Sequence, residues 1–224
     1  MTGTGRAPVS LERAASALGD GGAVVLPNPA PLTHVVAARG APAVNAAKGR
    51  PAGQPVALWA HHPGTLRDLD GVWDLAPDDR ALARWLLAAE HLTVLVPVRT
   101  DTEVPAWTAP AVKDSWMLLF GARWEPLRPL LDRHPVLYVS SANRTGCSPV
   151  ATTADALAAF PAEVAVLAPP ATEAPATERR ATTTVRLRRD GGLDLHRDGA
   201  QNHDHPDPAD YLRRLRGRAR EATG

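Results

Sequence analysis

The sequence predicts an α/β fold built on a mixed sheet, and three observations predict it. Short apolar runs bounded by Gly, Pro or polar residues, such as AVVLP (23–27), LTVLVPV (92–98) and PVLYV (135–139), have the length and composition of buried strands. Between them lie segments with apolar residues at helical spacing, the alternation expected of an α/β layer. Several connections are too short to hold a crossover helix, so some neighbouring strands must run antiparallel. At 224 residues the chain has the size of one such domain.

Ser10 ahead of LERAASAL reads as the cap of a first helix, with Glu12 in the first turn where the helix dipole favours an anion. Asp20-Gly21-Gly22 ends it, and 23–27 is the first strand. PNPAP (27–31) is barred from helix and central strand by its prolines. A short helix over 41–47 leads into KGRPAGQP (48–55), a loop by its Gly and Pro content, and then the strand PVALWAHH (55–62). Asp78 and Asp79 are expected to cap a helix through RALARWLLAAEH. Strands follow at 92–98 and 115–121, a short helix near 126–133, and a strand at 135–139. SSANRTGCSP (140–149) reads as a turn-rich loop and TTADALAAF (152–160) as a capped helix. Strands at 164–168, 182–188 and 193–197 complete the domain, which is drawn as 1–200. Residues 169–181 read as a flexible surface loop. Residues 201–224 read as a polar linker and a basic helix opened by Asp207-Pro208 and carrying Arg213, Arg214, Arg216, Arg218 and Arg220.

An apolar fraction of 44% supports a real core, and a net charge of +1 gives no global field for nucleic acid or membrane. No run approaches the length of a membrane span, and no N-terminal signal pattern is present, so a cytoplasmic protein without a membrane partner is expected. The single cysteine, Cys147, excludes an internal disulfide and a thiolate metal cluster. Neither His61-His62 nor His203-Asp204-His205 has the spacing of a metal site, so no protein-held metal is expected. Of 25 basic residues only Lys48 and Lys113 are lysine. Ammonium and guanidinium are not interchangeable at a binding site, which singles out both positions.

Three stretches carry candidate chemistry. In Lys48-Gly49-Arg50-Pro51 the glycine frees the backbone to aim two cations at one carboxylate or phosphate; a solvated basic loop is the bland alternative. Ser140-Ser141-Ala142-Asn143 follows an apolar strand, and ligands of α/β proteins gather beyond the carboxyl ends of strands. Its hydroxyls and amide suit phosphate, ribose or carbonyl oxygens, or simply a hydrogen-bonded turn. Thr182-Thr183-Thr184 and Arg197-Asp198-Gly199 are the third, with Arg197 either a phosphate contact or plain surface.

Together these pieces resemble the YrdC-like family, the threonylcarbamoyl-adenylate synthases. The resemblance runs from about Leu11 to Ala200 and rests on GGAVVLP, KGRPAGQPVAL, VSSANRTGCSP and TTV…HRDGA in that order. It implies a twisted mixed sheet flanked by helices around a deep basic cleft. It also implies an enzyme that joins an amino acid, by default L-threonine, with bicarbonate and ATP, carrying Mg²⁺. The products are a carbamoyl-adenylate and pyrophosphate, on the way to N6-threonylcarbamoyladenosine in tRNA. On this reading Lys48, Arg50, Ser141 and Asn143 are the catalytic set. Ser140, Thr183 and Arg197 join them in holding the nucleotide, and Asn28 and Leu32 line the amino-acid pocket with Lys48 and Arg50. A tRNA threonylcarbamoyl transferase, and tRNA or double-stranded RNA reached through the basic helix, are the expected macromolecular partners.

The sequence also departs from the family. The Pro-Thr-x-Thr-x-Tyr-Gly-like stretch is replaced by Pro27-Asn28-Pro29-Ala30-Pro31-Leu32-Thr33, and Trp-Pro-Gly-Pro-x-Thr by Ala88-Ala89-Glu90-His91-Leu92-Thr93. The Val-Arg-x-Pro strand is replaced by Met117-Leu118-Leu119-Phe120. A cleft arginine is thereby lost, with Arg123 and Lys113 as the nearest cations to stand in for it. Two functions follow: an ATP-dependent synthase, with threonine or another acceptor, or a paralogue that has lost catalysis and binds nucleotide or RNA.

Overall fold

The computed structural model describes residues 6–169 and 178–223. In chain order its helices and strands are α1 (Leu11–Gly19), β1 (Val24–Leu26), β2 (Val35–Ala38), α2 (Ala41–Lys48), β3 (Ala57–Trp59), α3 (Pro63–Leu69), α4 (Pro77–Ala88), β4 (Thr93–Pro97), β5 (Val112–Lys113), β6 (Trp116–Phe120), α5 (Arg128–Leu131), β7 (Tyr138–Ser141), α6 (Thr153–Ala159), β8 (Ala165–Val166), β9 (Thr184–Leu187), β10 (Leu193–Arg197) and α7 (Pro208–Thr223). The chain forms two compact units, Met1–Val56 with Trp124–Arg180 and Ala57–Arg123 with Ala181–Gly224. Most of the loop read over 169–181 lies outside the described residues.

In the first unit the strands run β7-β2-β1-β8, antiparallel except for the β1–β8 pair. β1 is flanked on both sides, which is why all three of its residues are buried and apolar. α2 packs on β2 and β7, and α1 packs on β1, β8 and α5. The Ser10 side chain caps α1 by accepting from the Arg13 N–H (3.3 Å), and Thr152 caps α6 by accepting from Asp155 (3.1 Å).

In the second unit the order is β10-β9-β4-β6-β3, with β5 pairing the first half of β6 and β3 its second half. β3–β6 and β4–β9 are parallel and the remaining pairs antiparallel. The expected mixed sheet is therefore present in both units. The fully buried Trp59, Trp73, Leu86, Leu87, Met117 and Leu119 form the second unit's core, and α7 packs against α4 and β10.

Three local expectations need correction. α4 starts at Pro77 on Ala76, which offers no side-chain cap, so Asp78 and Asp79 lie in the first turn instead of capping it. Ser140 and Ser141 belong to β7, because they pair with Val36 and Val35 of β2. β2 itself and α3 lie in stretches read as connections. α3 is capped by His62, whose Nδ1 accepts from Gly64 N–H (3.1 Å).

Among the described residues, no helix is long and apolar enough to cross a membrane.

Candidate functional site

The first unit brings Lys48, Ser141 and Asn143 into contact. Lys48 is the last residue of α2, and Gly49 ends the helix in the left-handed region at φ 66°, a conformation that glycine adopts without a Cβ penalty. That turn sends the lysine side chain towards the end of β7. Its ammonium donates to the Ser141 carbonyl and to Asn143 Oδ1, the latter at 2.6 Å. Ser141 Oγ donates to the same Oδ1 at 2.7 Å. The other face of the Asn143 amide donates to the carbonyls of Arg144 (3.2 Å) and Cys147 (2.8 Å). Both polar atoms of the Asn143 side chain are thus directed, and the amide is a fixed bracket between lysine and loop. Thr145 closes the arrangement from its backbone N–H (3.2 Å) and hydroxyl (3.3 Å), both donating to the Lys48 carbonyl.

Lys48 is only 4% exposed. Burial, and then the charge of Arg50, lower its pKa from 10.5 to about 8. Burial likewise holds Arg50 below its ordinary value. Arg50 is half-buried, its Nε donates to Asn45 Oδ1, and its Nη2 is buried without a partner among the described residues. Asn45, wholly buried in α2, also donates to the carbonyls of Ala52 (2.7 Å) and Gln54 (2.8 Å), so it braces the 50–54 loop and Arg50 together. The sequence reading passed over Asn45. Its signal was an amide in the interior of an alanine-rich helix, three positions before the lysine, where it has no intrinsic preference to be.

Asn28 and Leu32 are 1% and 4% exposed. Asn28 Nδ2 donates to the Thr33 carbonyl (2.8 Å), and Arg179, also unforeseen, donates to the carbonyls of Asn28 (3.0 Å) and Leu32 (2.7 Å). This loop follows Pro27 and runs into His34, whose carbonyl accepts from the Ala142 N–H (3.0 Å). It therefore borders the Ser141–Asn143 bend, with Asn28 and Leu32 turned into the unit's interior. Ser140 is half-buried one residue before Ser141 on β7, so its side chain leaves the opposite face of the strand.

Thr183 and Arg197 belong to the second unit. Register aligns Trp59, Phe120, Thr93, Thr184 and Arg197 in one row across five strands. Arg123 lies three residues beyond Phe120, at that same end, and its Nη2 donates to the Ala60 carbonyl (3.0 Å). Lys113 pairs with Trp116 at the other end of β6. Of the two replacement cations, Arg123 alone shares the sheet end with Thr183 and Arg197. Thr183 is expected to contact the nucleotide, and its hydroxyl is already taken up within the unit. The residue is fully buried, donates to Asn202 Oδ1 (2.8 Å) and accepts from the N–H groups of Gln201 (3.1 Å) and Asn202 (3.2 Å). It holds the 199–202 turn. Arg197 is exposed and donates to the Thr182 carbonyl (3.1 Å).

Four arginines of α7 have partners within the second unit. Arg213 and Arg214 pair with Asp210, Arg216 donates to the Gly191 carbonyl, and Arg218 pairs with Glu90 while lying over the Trp85 ring.

No family model matches the sequence, and no curated protein is similar to it at the sequence level. Solved structures are. Sua5 of P. abyssi, solved in complex with L-threonine, superposes with a TM-score of 0.64 at 17% identity, over 84% of this chain and 54% of that one. Full-length HypF in a phosphate- and nucleotide-bound form gives 0.62 at 14% identity, over 87% and 30%. E. coli YciO gives 0.56 at 15% identity, over 84% and 88%. The chain thus spans about half the length of the P. abyssi protein. These neighbours are Sua5/YrdC-family proteins, and the fold is theirs, as the sequence resemblance implies.

Proposed function

We propose that the protein is an ATP-dependent enzyme that adenylates a carbamoylated amino acid, with bicarbonate as carbon source and pyrophosphate as leaving group. The observation that carries this reading is the Lys48 ammonium, buried yet held by the Ser141 carbonyl and Asn143 Oδ1, beside a half-buried Arg50 with a free guanidinium nitrogen. Nucleotidyl transfer needs little covalent help from the protein. Alignment of reactants and stabilisation of charge on the leaving phosphates supply most of the rate. Cations and hydroxyls held rigidly from behind meet that need, and the fold shared with an L-threonine complex and a nucleotide complex is consistent with it. Threonine is the default acceptor. Threonylcarbamoyladenosine formation in tRNA is the pathway proposed, with a tRNA threonylcarbamoyl transferase taking the product.

Among the described residues no three His, Cys, Asp or Glu side chains form a metal site. Mg²⁺ is proposed to arrive on the nucleotide, held by its phosphates, where it neutralises their charge. The amino-acid side is where a second reading gains ground. Asn28 and Leu32 are buried and their loop carbonyls are held by Arg179, an arrangement that suits a nucleotide-binding paralogue without amino-acid turnover. On the α7 side, Arg213, Arg214, Arg216 and Arg218 each have a partner in their own unit, so an RNA contact there would compete with those pairs.

Pyrophosphate release from ATP with bicarbonate, assayed against each of the common amino acids, separates the two readings. The synthase reading requires release with at least one of them and its loss in Lys48→Ala. ATP binding without release for any amino acid leaves the binding-only reading standing.

A further inference from the structure

Arg144 is the one residue of the Ser140–Gly146 stretch whose side chain no motif explains. Its backbone is fixed twice over, because its carbonyl accepts from Asn143 Nδ2 (3.2 Å) and from the Cys147 N–H (3.0 Å). The guanidinium lies over Gly49: a Cβ at residue 49 would stand 3.1 Å from its Nη2 and 3.8 Å from its Cζ. It is exposed and makes no hydrogen bond or ion pair among the described residues. Gly49 separates Lys48 from Arg50, so the Arg144 guanidinium lies beside the turn that joins these two cations, and no salt bridge among the described residues involves any of the three.

Like charges without a counter-ion repel, as Arg50 does Lys48, and an anion bound beside them relieves that repulsion. The three also form a gradient, from buried Lys48 through half-buried Arg50 to exposed Arg144. A single phosphate or carboxylate needs one or two such contacts. An extended, multiply charged chain uses all three. We propose that Arg144 is a further phosphate-binding residue of this site and selects a polyphosphate chain over a single phosphate. Gly49 then has two tasks: its left-handed turn aims Lys48, and its missing Cβ leaves room for the Arg144 guanidinium.

The inference deepens the ATP-dependent reading of the same site and rests on it for the identity of the chain. It is tested by calorimetric titration of wild type, Arg144→Ala and Arg144→Lys with ATP, AMP and inorganic tripolyphosphate at two salt concentrations. An exposed residue is chosen so that folding survives, with a thermal melt as control. Arg144→Ala should weaken ATP and tripolyphosphate by about tenfold and leave AMP close to wild type. It should flatten the salt dependence for the two polyphosphates, and Arg144→Lys should restore part of both effects. If Arg144→Ala binds ATP and tripolyphosphate as wild type does, Arg144 is ordinary surface and the inference is wrong while the nucleotide reading stands. If wild type binds tripolyphosphate through Arg144 but not ATP, the inference holds and the nucleotide reading fails. Binding of neither probe by wild type overturns both.

Discussion

Lys48 sits in a conflict that its proposed role must resolve. Burial and the Arg50 charge draw its pKa down to about 8, so a substantial neutral fraction exists only slightly above physiological pH. Phosphate binding needs the charged form, so ATP affinity should fall as pH rises through about 8, where an ordinary lysine near 10.5 would be indifferent. Titrations between pH 7 and 9 test this, and Arg50→Ala should move the midpoint upward because one of the two causes is gone. Stability has the opposite sign. The folded chain binds this proton less tightly than the unfolded chain, so the unliganded protein should gain stability between about pH 8 and 10.5, a gain that Lys48→Met should remove. At this scale the sequence was informative where charge and spacing made a residue conspicuous. Lys48, Ser141 and Asn143 were named from pattern and do meet in space. Asn45, Arg144 and Arg179 were not, since what matters about them is a backbone carbonyl or a glycine brought near by folding. Thr183 shows the converse: a residue type suited to a ligand whose hydroxyl is fully engaged by its own turn.

Among the elements, α7 is the one whose composition suggests a partner outside the fold. Its arginines suggest a nucleic-acid surface, yet Arg218 reaches Glu90, whose side chain is only 9% exposed, and lies over the Trp85 ring at 5.9 Å from its centroid. Burial raises the Glu90 pKa even against the Arg218 charge, the mark of a carboxylate that needs its partner. Arg218→Ala should therefore lower stability in urea melts by about 1–2 kcal/mol, and RNA affinity, if any is measured, should not change. Loss of RNA binding with unchanged stability would reverse that assignment. The missed strand β2 has a related cause. Its sequence, VVAA, is short and buried at all four positions, so it lacks the alternation that marks a half-exposed strand. Missing β2 also placed Ser140 and Ser141 in a loop, because their strand character shows in their pairing with β2. Elements with a local signal, such as the Ser10 and Thr152 caps, were legible without any partner.

At the scale of the whole molecule, the α/β class and the mixed sheet followed from the alternation of apolar runs and helices, because that pattern reports layers directly. The division into two units, each assembled from two separate stretches of chain, did not, since no linker composition marks it. The central claim is that Lys48, braced by Ser141 and Asn143, anchors the phosphates of ATP. Ligand that binds only the folded state stabilises it by about 2.7 kcal/mol at a hundred times its dissociation constant. For a chain of this length that corresponds to a rise in melting temperature of roughly 5–10 °C. Melting curves of wild type and Lys48→Met with and without ATP test the claim most directly. The account predicts a rise of that size for wild type and little or none for Lys48→Met; an equal rise in both proteins would contradict it.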